Sequence, residues 1–426
     1  MTAPTGSLDV VIASCVSDYD PNALPVDDTR RIIRAYVSAV TETETLNLHA
    51  ALGRILAHDI ISPINVPAHD NSAMDGYAVR AADLAAHGET RLRRVGEAFA
   101  GKVFHGALGS RECVRVMTGA VMPAGADTVV VQEVCREEAE QVIIPAGPQV
   151  GDNRRFAGED IAMGKPILRS GDCIGAAELG LIASLGIGAV TVKRRLRVAF
   201  FSTGDELASI GQPLGEGQVF DSNRYTLFGM LSRLGVEMID LGVVRDDPAL
   251  IEQALLDAAA RADAVITTGG VSVGEADFIR GLLAKLGEVA FWKIAMRPGR
   301  PMAFGRIGST RFFGLPGNPV AVMVTFYQFV REGLLAMQGR NAAQSLVSFQ
   351  VASAARLRKK PGRTEYQRGI VARGADGALS VRLTGQQGSG ILRSMAEANC
   401  FIVLDHDQGD VAAGDLVTVM PFEGLE

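Results

Sequence analysis

The chain has few of the features that mark secreted scaffolds, zinc proteins or nucleic-acid binders. Among its 426 residues are only five cysteines (Cys15, Cys113, Cys135, Cys173 and Cys400), with no CxxC pair and no ligand spacing. That pattern fits reduced thiols and argues against a disulfide frame or a zinc site. Basic residues do not dominate either: 42 Lys and Arg stand against 48 Asp and Glu, a net charge of −6. A general nucleic-acid binder would carry a basic surplus, so no nucleic-acid partner is expected. Any anionic ligand must be gripped by basic groups placed locally. The apolar patch Leu8–Cys15 is short and acid-flanked, with no basic stretch before it, unlike a secretory leader. No apolar run approaches the ~20 residues that a membrane span needs. A soluble, cytoplasmic protein is therefore expected. What remains is an ordinary globular composition, 47% hydrophobic and 21% charged. The length exceeds a single core, so two to four domains are expected.

Residues 1–24 are polar and read as loose. Asp27–Val40 reads as a helix capped by Asp27 or Asp28, with Ile32, Ile33, Tyr36, Val37 and Val40 on one face. From 63 to 150 the pattern changes to short strands broken by glycine, such as 111–117, 128–134 and 141–145. This reads as a β-rich module inserted into a linking domain made of 25–62 and 151–195. Residues 196–340 alternate strands with helices, which predicts a doubly wound parallel α/β sheet with ligands at the carboxyl ends of its strands. Here Asp221 or Ser222 caps one helix. Asp247 and Pro248 open another, whose Leu250, Ile251, Ala254 and Leu255 are expected to face inward. Residues 345–426 read as an all-β tail.

The α/β region carries the chemistry. Ala264–Thr268 is a β-branched strand that breaks into Gly269 and Gly270, followed by Gly274, Glu275 and Asp277. A strand, a glycine loop and a helix expose backbone N–H groups to an anion, and nearby carboxylates imply a divalent cation beside it. Glu206, Asp246 and Asp277 each follow a successive strand, so a doubly wound sheet brings all three to one edge. Asp247, by contrast, reads as an N-cap. The block Phe291–Pro301 presents Lys293, Arg297 and Arg300 around a Pro-Gly-x-Pro turn, and guanidinium groups grip oxyanions bidentately. Pro316-Gly317-Asn318-Pro319 then opens an apolar helix and offers another anion position. Two further strings, 67–77 and 151–160, are dense in small polar residues, and read alone they are loops held by Asx turns. His69 reads as a loop histidine.

Taken together, DNSAMDGYA, GDNRRFAGED, STGDEL, DSNRY, TTGGVSVGEAD, the FWKIAMRPGRP block and GLPGNP resemble the molybdopterin molybdenumtransferases, a family that includes the C-terminal region of gephyrin. The resemblance runs from about residue 25 to the C-terminus. It implies insertion of molybdate into adenylylated molybdopterin with release of AMP, dependent on Mg²⁺. It also implies a homodimer in which the β-rich module of one subunit reaches over the α/β domain of the other. The upstream molybdopterin adenylyltransferase and molybdoenzyme apoproteins are the implied partners.

Carried across residue by residue, Glu206, Asp246 and Asp277 hold the metal and the nucleotide phosphate, and Asp70 and Asp152 approach from the other subunit. Lys293, Arg297, Pro298 and Arg368 bind molybdate and the pterin phosphate, with Ser389 as a further oxyanion contact. Thr203, Gly204, Ser222, Gly269, Gly270, Ser272, Gly274, Pro316, Gly317, Asn318 and Pro319 line the ligand site. Two departures stand out: Ala321 where many members carry serine, and Arg297 and Arg300 where lysine is common. The rival readings are the adenylyltransferase itself, which needs only the α/β domain, and a non-catalytic scaffold, which could lose the carboxylates retained here.

Overall fold

A computed structural model describes residues 7–270, 276–341 and 347–422. The N-terminal stretch, expected to be loose, is ordered from residue 7 onward. Leu8–Cys15 forms a helix whose Leu8, Val11 and Ile12 are buried. Leu8 N–H donates to Glu288 Oε2 at 3.1 Å, and Trp292 Nε1 donates to the Tyr19 hydroxyl at 2.8 Å. The following helix spans Val26–Tyr36, shorter than expected, and buries Ile32, Ile33 and Tyr36. Pro25 occupies its N-cap, so Asp27 and Asp28 stand in the first turn instead, paired with Arg30 and Arg31. There they still favour the helix by facing its positive end.

Thr43–Asn47 pairs antiparallel with Ala189–Lys193, and Ile60–Ile61 with Pro166–Leu168. Chain segments more than a hundred residues apart thus share one small core of Ala51, Leu56, Ile174, Ile182, Val190 and Val192. The residues between them build a separate six-stranded sheet. Its order is 128–131, 76–79, 112–116, 89–98, 141–145 and 136–138. Alternation along Gly76–Val79 sends Tyr77 and Val79 to one core and Ala78 to another, so both faces are covered.

The central sheet has six strands: β1 (Arg197–Thr203), β2 (Glu237–Val244), β3 (Ala264–Thr268), β4 (Gly287–Lys293), β5 (Pro301–Ile307) and β6 (Thr310–Leu315). Their order is β2-β1-β3-β6-β5-β4. The first four in that order run parallel, while β5 and β4 pair antiparallel, a departure from the all-parallel expectation. The cause is local: β5 and β6 are joined by the tight Gly308-Ser309 turn, which allows no crossover helix. The helices are α1 (Ser222–Arg233), α2 (Pro248–Arg261), α3 (Ala276–Leu286) and a long helix over 319–337. Asp221 caps α1 and Asp247 caps α2, as read from the sequence. Within α2, Ile251 and Leu255 are buried, but Leu250 faces outward at 50% exposure. The helix over 319–337 corrects another expectation, since it is long and apolar enough to cross a membrane. It is 72% buried inside the fold and serves as a core helix, with Val322, Phe326, Phe329 and Val330 packed against the sheet.

The C-terminal strands form a third six-stranded sheet. Thr364–Arg373 pairs with both Leu379–Leu383 and Cys400–Leu404, which closes it into a barrel-like unit. One pairing joins it to the α/β domain: Met296–Arg297 lies parallel to this strand, Arg297 opposite Glu365.

Candidate functional site

Parallel order fixes where the acids fall. Strands β2, β1 and β3 are neighbours and point the same way, so the loops after them share the carboxyl edge of the sheet. Glu206 follows β1 and Asp246 follows β2. A hydrogen bond from Asp246 N–H to Asp205 Oδ1, at 3.3 Å, ties these two loops together. Gly204 sits at φ +151°, a backbone conformation that residues with a Cβ rarely adopt. Asp277 lies in the first turn of α3, and only its backbone is described. Ser272 and Gly274 lie outside the described residues. Among the described residues, no three His, Cys, Asp or Glu side chains are grouped to hold a metal.

The floor of this edge is polar. Gly269, at φ +94°, lets the chain turn directly against β1, where a Cβ would overlap the Thr203 carbonyl oxygen. Thr203 Oγ1 faces this turn and is buried without a hydrogen-bond partner among the described residues. Asn223, in the first turn of α1 beside Ser222, donates to Thr268 Oγ1 at 3.0 Å and to the Gly317 carbonyl at 2.7 Å. It thereby holds the β3 loop, α1 and the Pro316–Pro319 turn in one frame, and its own Oδ1 has no partner. The buried Asp221 accepts from Ser202 Oγ, at 2.9 Å, and from Arg224. Buried polar atoms left unpaired are uncommon, and an all-oxygen donor set suits a hard cation and its phosphate. The residues present therefore fit a magnesium–phosphate group.

Toward the barrel, two adjoining cavities share Arg297, Pro298 and Gln387. One, of about 320 Å³, is walled by Arg300, Pro316, Gly317, Asn318, Ala321, Arg363 and Ser389. The Ser389 carbonyl accepts from Val320 N–H at 3.0 Å, so the barrel loop seats itself at the start of the 319–337 helix. The other, of about 350 Å³, is walled by Arg356, Arg358, Glu365, Tyr366, Gln367, Arg368 and Leu383. Arg368 is 1% exposed. Its Nε donates to Ser394 Oγ and its Nη2 to the Gly388 carbonyl, at 3.1 and 3.0 Å. Burial, reinforced by repulsion from Arg297, pushes its pKa down to about 10. It stays protonated near neutrality, a buried cation that an anion would relieve.

The structure gathers Arg297, Pro298, Arg368, Pro316, Gly317, Asn318 and Ser389 around these cavities. Lys293 lines neither of them: it ends edge strand β4, where its N–H donates to the Pro21 carbonyl and its carbonyl accepts from Leu24. Arg300 lines the smaller cavity and also donates to the Asn22 carbonyl at 3.3 Å. Sequence reasoning missed Gln387 as a site residue, although it lines both cavities. Its Oε1 accepts from Arg368 N–H at 2.7 Å while its Nε2 donates to the Arg368 carbonyl at 3.2 Å. A glutamine pair in a glycine-rich turn gives no pattern from which this bracket could be read.

Asp70 and Asp152 lie elsewhere, at the root of the inserted module. Asn71–Ser72 pairs antiparallel with Arg154–Arg155, so the two polar strings are one structure. Asp70 accepts from Ala157 N–H at 2.8 Å and is ion-paired with Arg154. These contacts hold its carboxyl below the usual range. Asp152 Oδ2 accepts from Gln149 N–H at 2.7 Å.

These features together match one family along nearly the whole chain. Residues 24–186 match the MoeA N-terminal region (domain I and II), 199–336 the "Probable molybdopterin binding domain" and 350–422 the MoeA C-terminal region (domain IV). A molybdopterin molybdenumtransferase from Haemophilus influenzae is 44% identical over 94% of this chain and 99% of its own. The chain belongs to the molybdopterin molybdenumtransferase family. One from a Nostoc species is 37% identical over 93% of each chain. The solved molybdopterin biosynthesis moeA protein of Pyrococcus horikoshii superposes with a TM-score of 0.81 at 28% identity, covering 94% of this chain and all of that one. Family membership of this extent favours neither the adenylyltransferase nor the scaffold reading.

Proposed function

We propose that this chain inserts molybdate into adenylylated molybdopterin and releases AMP. The observation that carries the reading is the two-sided site: an oxygen-rich sheet edge for a nucleotide phosphate, next to basic cavities for an oxyanion. Glu206, Asp246 and Asp277 would hold Mg²⁺, with Thr203, Gly204, Gly269 and Gly270 beneath the phosphate; Ser272 and Gly274 are proposed as further ligand contacts. Bound there, the cation would neutralise the phosphoanhydride and the charge leaving on AMP.

The chain's own residues do the rest. Molybdate and the phosphoanhydride repel each other, and the exposed Arg297 and the buried Arg368 offset that repulsion. Asn223 fixes the spacing between the two halves of the site by bridging their loops. No covalent intermediate is required, since positioning and charge neutralisation suffice. Asp70 and Asp152 stand at the opposite end of the molecule's polar motifs. In this reading they act across a homodimer, on the α/β domain of a second copy. The upstream adenylyltransferase supplies the substrate, and apoproteins that need the cofactor take the product.

The test is AMP release from adenylylated molybdopterin with Mg²⁺, with and without molybdate, in wild type and in Glu206→Gln. Molybdate-dependent release that falls about a hundredfold in the variant supports the assignment. A folded wild type that binds the substrate and releases no AMP returns the chain to a scaffold role.

A further inference from the structure

The two cavities that share Arg297 and Pro298 differ in their chemistry. The one against Pro316–Asn318 shows arginines, an amide and a hydroxyl, with no carboxylate in its wall. The one against the barrel strand adds two acceptors, Glu365 and Gln367, to an apolar surface of Tyr366 and Leu383. Glu365 is 3% exposed and Gln367 7%. The Glu365 carboxylate is matched by Arg363, at 3.1 Å, and by Arg297, at 3.9 Å. Gln367 is not matched in the same way. Its Nε2 donates to the Arg358 carbonyl and to Glu365 Oε2, both at 3.2 Å. Both partners are acceptors, so the amide cannot be turned over without losing both bonds. Its Oε1 is therefore fixed as an acceptor, and it is buried with no donor among the described residues.

An oxyanion such as molybdate offers only acceptors at neutral pH and would be repelled by this pair. A ligand suited to the cavity must bring N–H donors, a planar apolar face for Tyr366 and Leu383, and electron density for the arginines at the rim. At about 350 Å³ the space suits one bicyclic ring rather than a whole nucleotide. We propose that this cavity receives the pterin ring of the substrate, with the N–H edge of its aminopyrimidinone donating to Gln367 and to Glu365. The assignment rests on the transferase reading and deepens it: the ring sits against the barrel, and the side chain that takes the metal points toward Arg297 and Pro298. The oxyanion then belongs where the two cavities adjoin, at Arg297 with Arg368 beside it, and the phosphate at the sheet edge. Arg356 is tied to Asp410 at 2.6 Å, which leaves Arg358 as the rim guanidinium with no ion-pair partner among the described residues. Guanidinium planes stack well on flat heterocycles.

The test uses the full chain and a pterin without phosphate or nucleotide, 6-hydroxymethylpterin, measured by its fluorescence or by calorimetry. The comparison probe is 6-hydroxymethyllumazine, which has a carbonyl in place of the 2-amino group. Wild type is expected to bind the pterin about tenfold more tightly than the lumazine, and Gln367→Met is expected to erase that preference. Leu383→Trp, which fills the cavity from the opposite wall, is expected to abolish binding of both probes. Molybdate and Mg²⁺–AMP binding, followed in parallel, should stay within about twofold of wild type in Gln367→Met, which separates a local effect from misfolding. Equal affinity for the two probes, no pterin binding at millimolar concentration, or loss of molybdate binding in place of pterin binding would overturn the assignment. Because ring binding is read without turnover, failed AMP release by wild type would count against the transferase reading alone.

Discussion

The sheet edge and the root of the inserted module are both rich in small polar residues, yet their hydrogen bonding differs. At the edge and its adjoining cavities, Thr203 Oγ1, Asn223 Oδ1, Thr325 Oγ1 and Gln367 Oε1 are buried without partners among the described residues. At the root, the carboxylates of Asp70 and Asp152 are engaged by backbone N–H groups and by Arg154, and Asn71 Oδ1 is the atom left without a partner among the described residues. Unmet capacity in a buried wall costs folding free energy and persists where a ligand later meets it. Satisfied capacity holds a junction together. The difference teaches that polar density in a sequence marks two kinds of site, and that only the bonding shows which is which.

The comparison breaks most sharply at Gly269. Gly269→Ala forces a Cβ into the Thr203 carbonyl at a positive φ, and should cost about 3 kcal/mol in denaturant unfolding. A loss under about 0.5 kcal/mol, within the range of ordinary surface changes, would mean that the turn is not held as described. At the root the stakes are smaller. Asp70→Asn should cost about 1 kcal/mol at neutral pH, because it weakens an ion pair and a charged acceptor in a half-exposed setting. The pH dependence follows from the sign of the shift. The folded pKa of Asp70 is depressed, so its contribution is present above the unfolded value and is lost as pH falls through the folded one. Wild type and Asp70→Asn should therefore converge in stability in acid, and a constant gap would contradict that linkage. Asp152→Asn should cost the least, about 0.5 kcal/mol, since its side chain is exposed. If it acts on a second copy, mixing Asp152→Ala with Arg368→Ala chains should restore turnover that neither shows alone. No restoration would confine each site to one chain.

Much of this architecture was legible in the sequence because it depends on local rules. Asp221, Asp247 and Pro248 open helices by capping chemistry. The glycine turn after Ala264–Thr268 announces a close approach. The order of acids after strands fixes their common edge once the strands run parallel. Other features depend on distant partners and carried no local signal. The antiparallel turn-back of β5 and β4 hides in a strand that reads as part of a basic loop. The ordering of residues 7–24 comes from Glu288 and Trp292, more than 250 positions away. Gln387 and Gln367 matter through the backbone groups they meet, which no spacing reveals. Lys293 reads as part of the oxyanion grip by proximity in sequence, whereas in the fold its backbone pairs with Pro21 and Leu24 and the residue lines neither cavity.

The most direct test of the account is AMP release by wild type and Arg368→Ala, measured side by side across a molybdate titration. The account predicts release that saturates with molybdate in wild type. In the variant, which should still bind Mg²⁺ and nucleotide, the molybdate-stimulated rate should be about a hundredfold lower. Equal molybdate-stimulated release by both proteins would contradict it, and would remove the buried guanidinium from the chemistry.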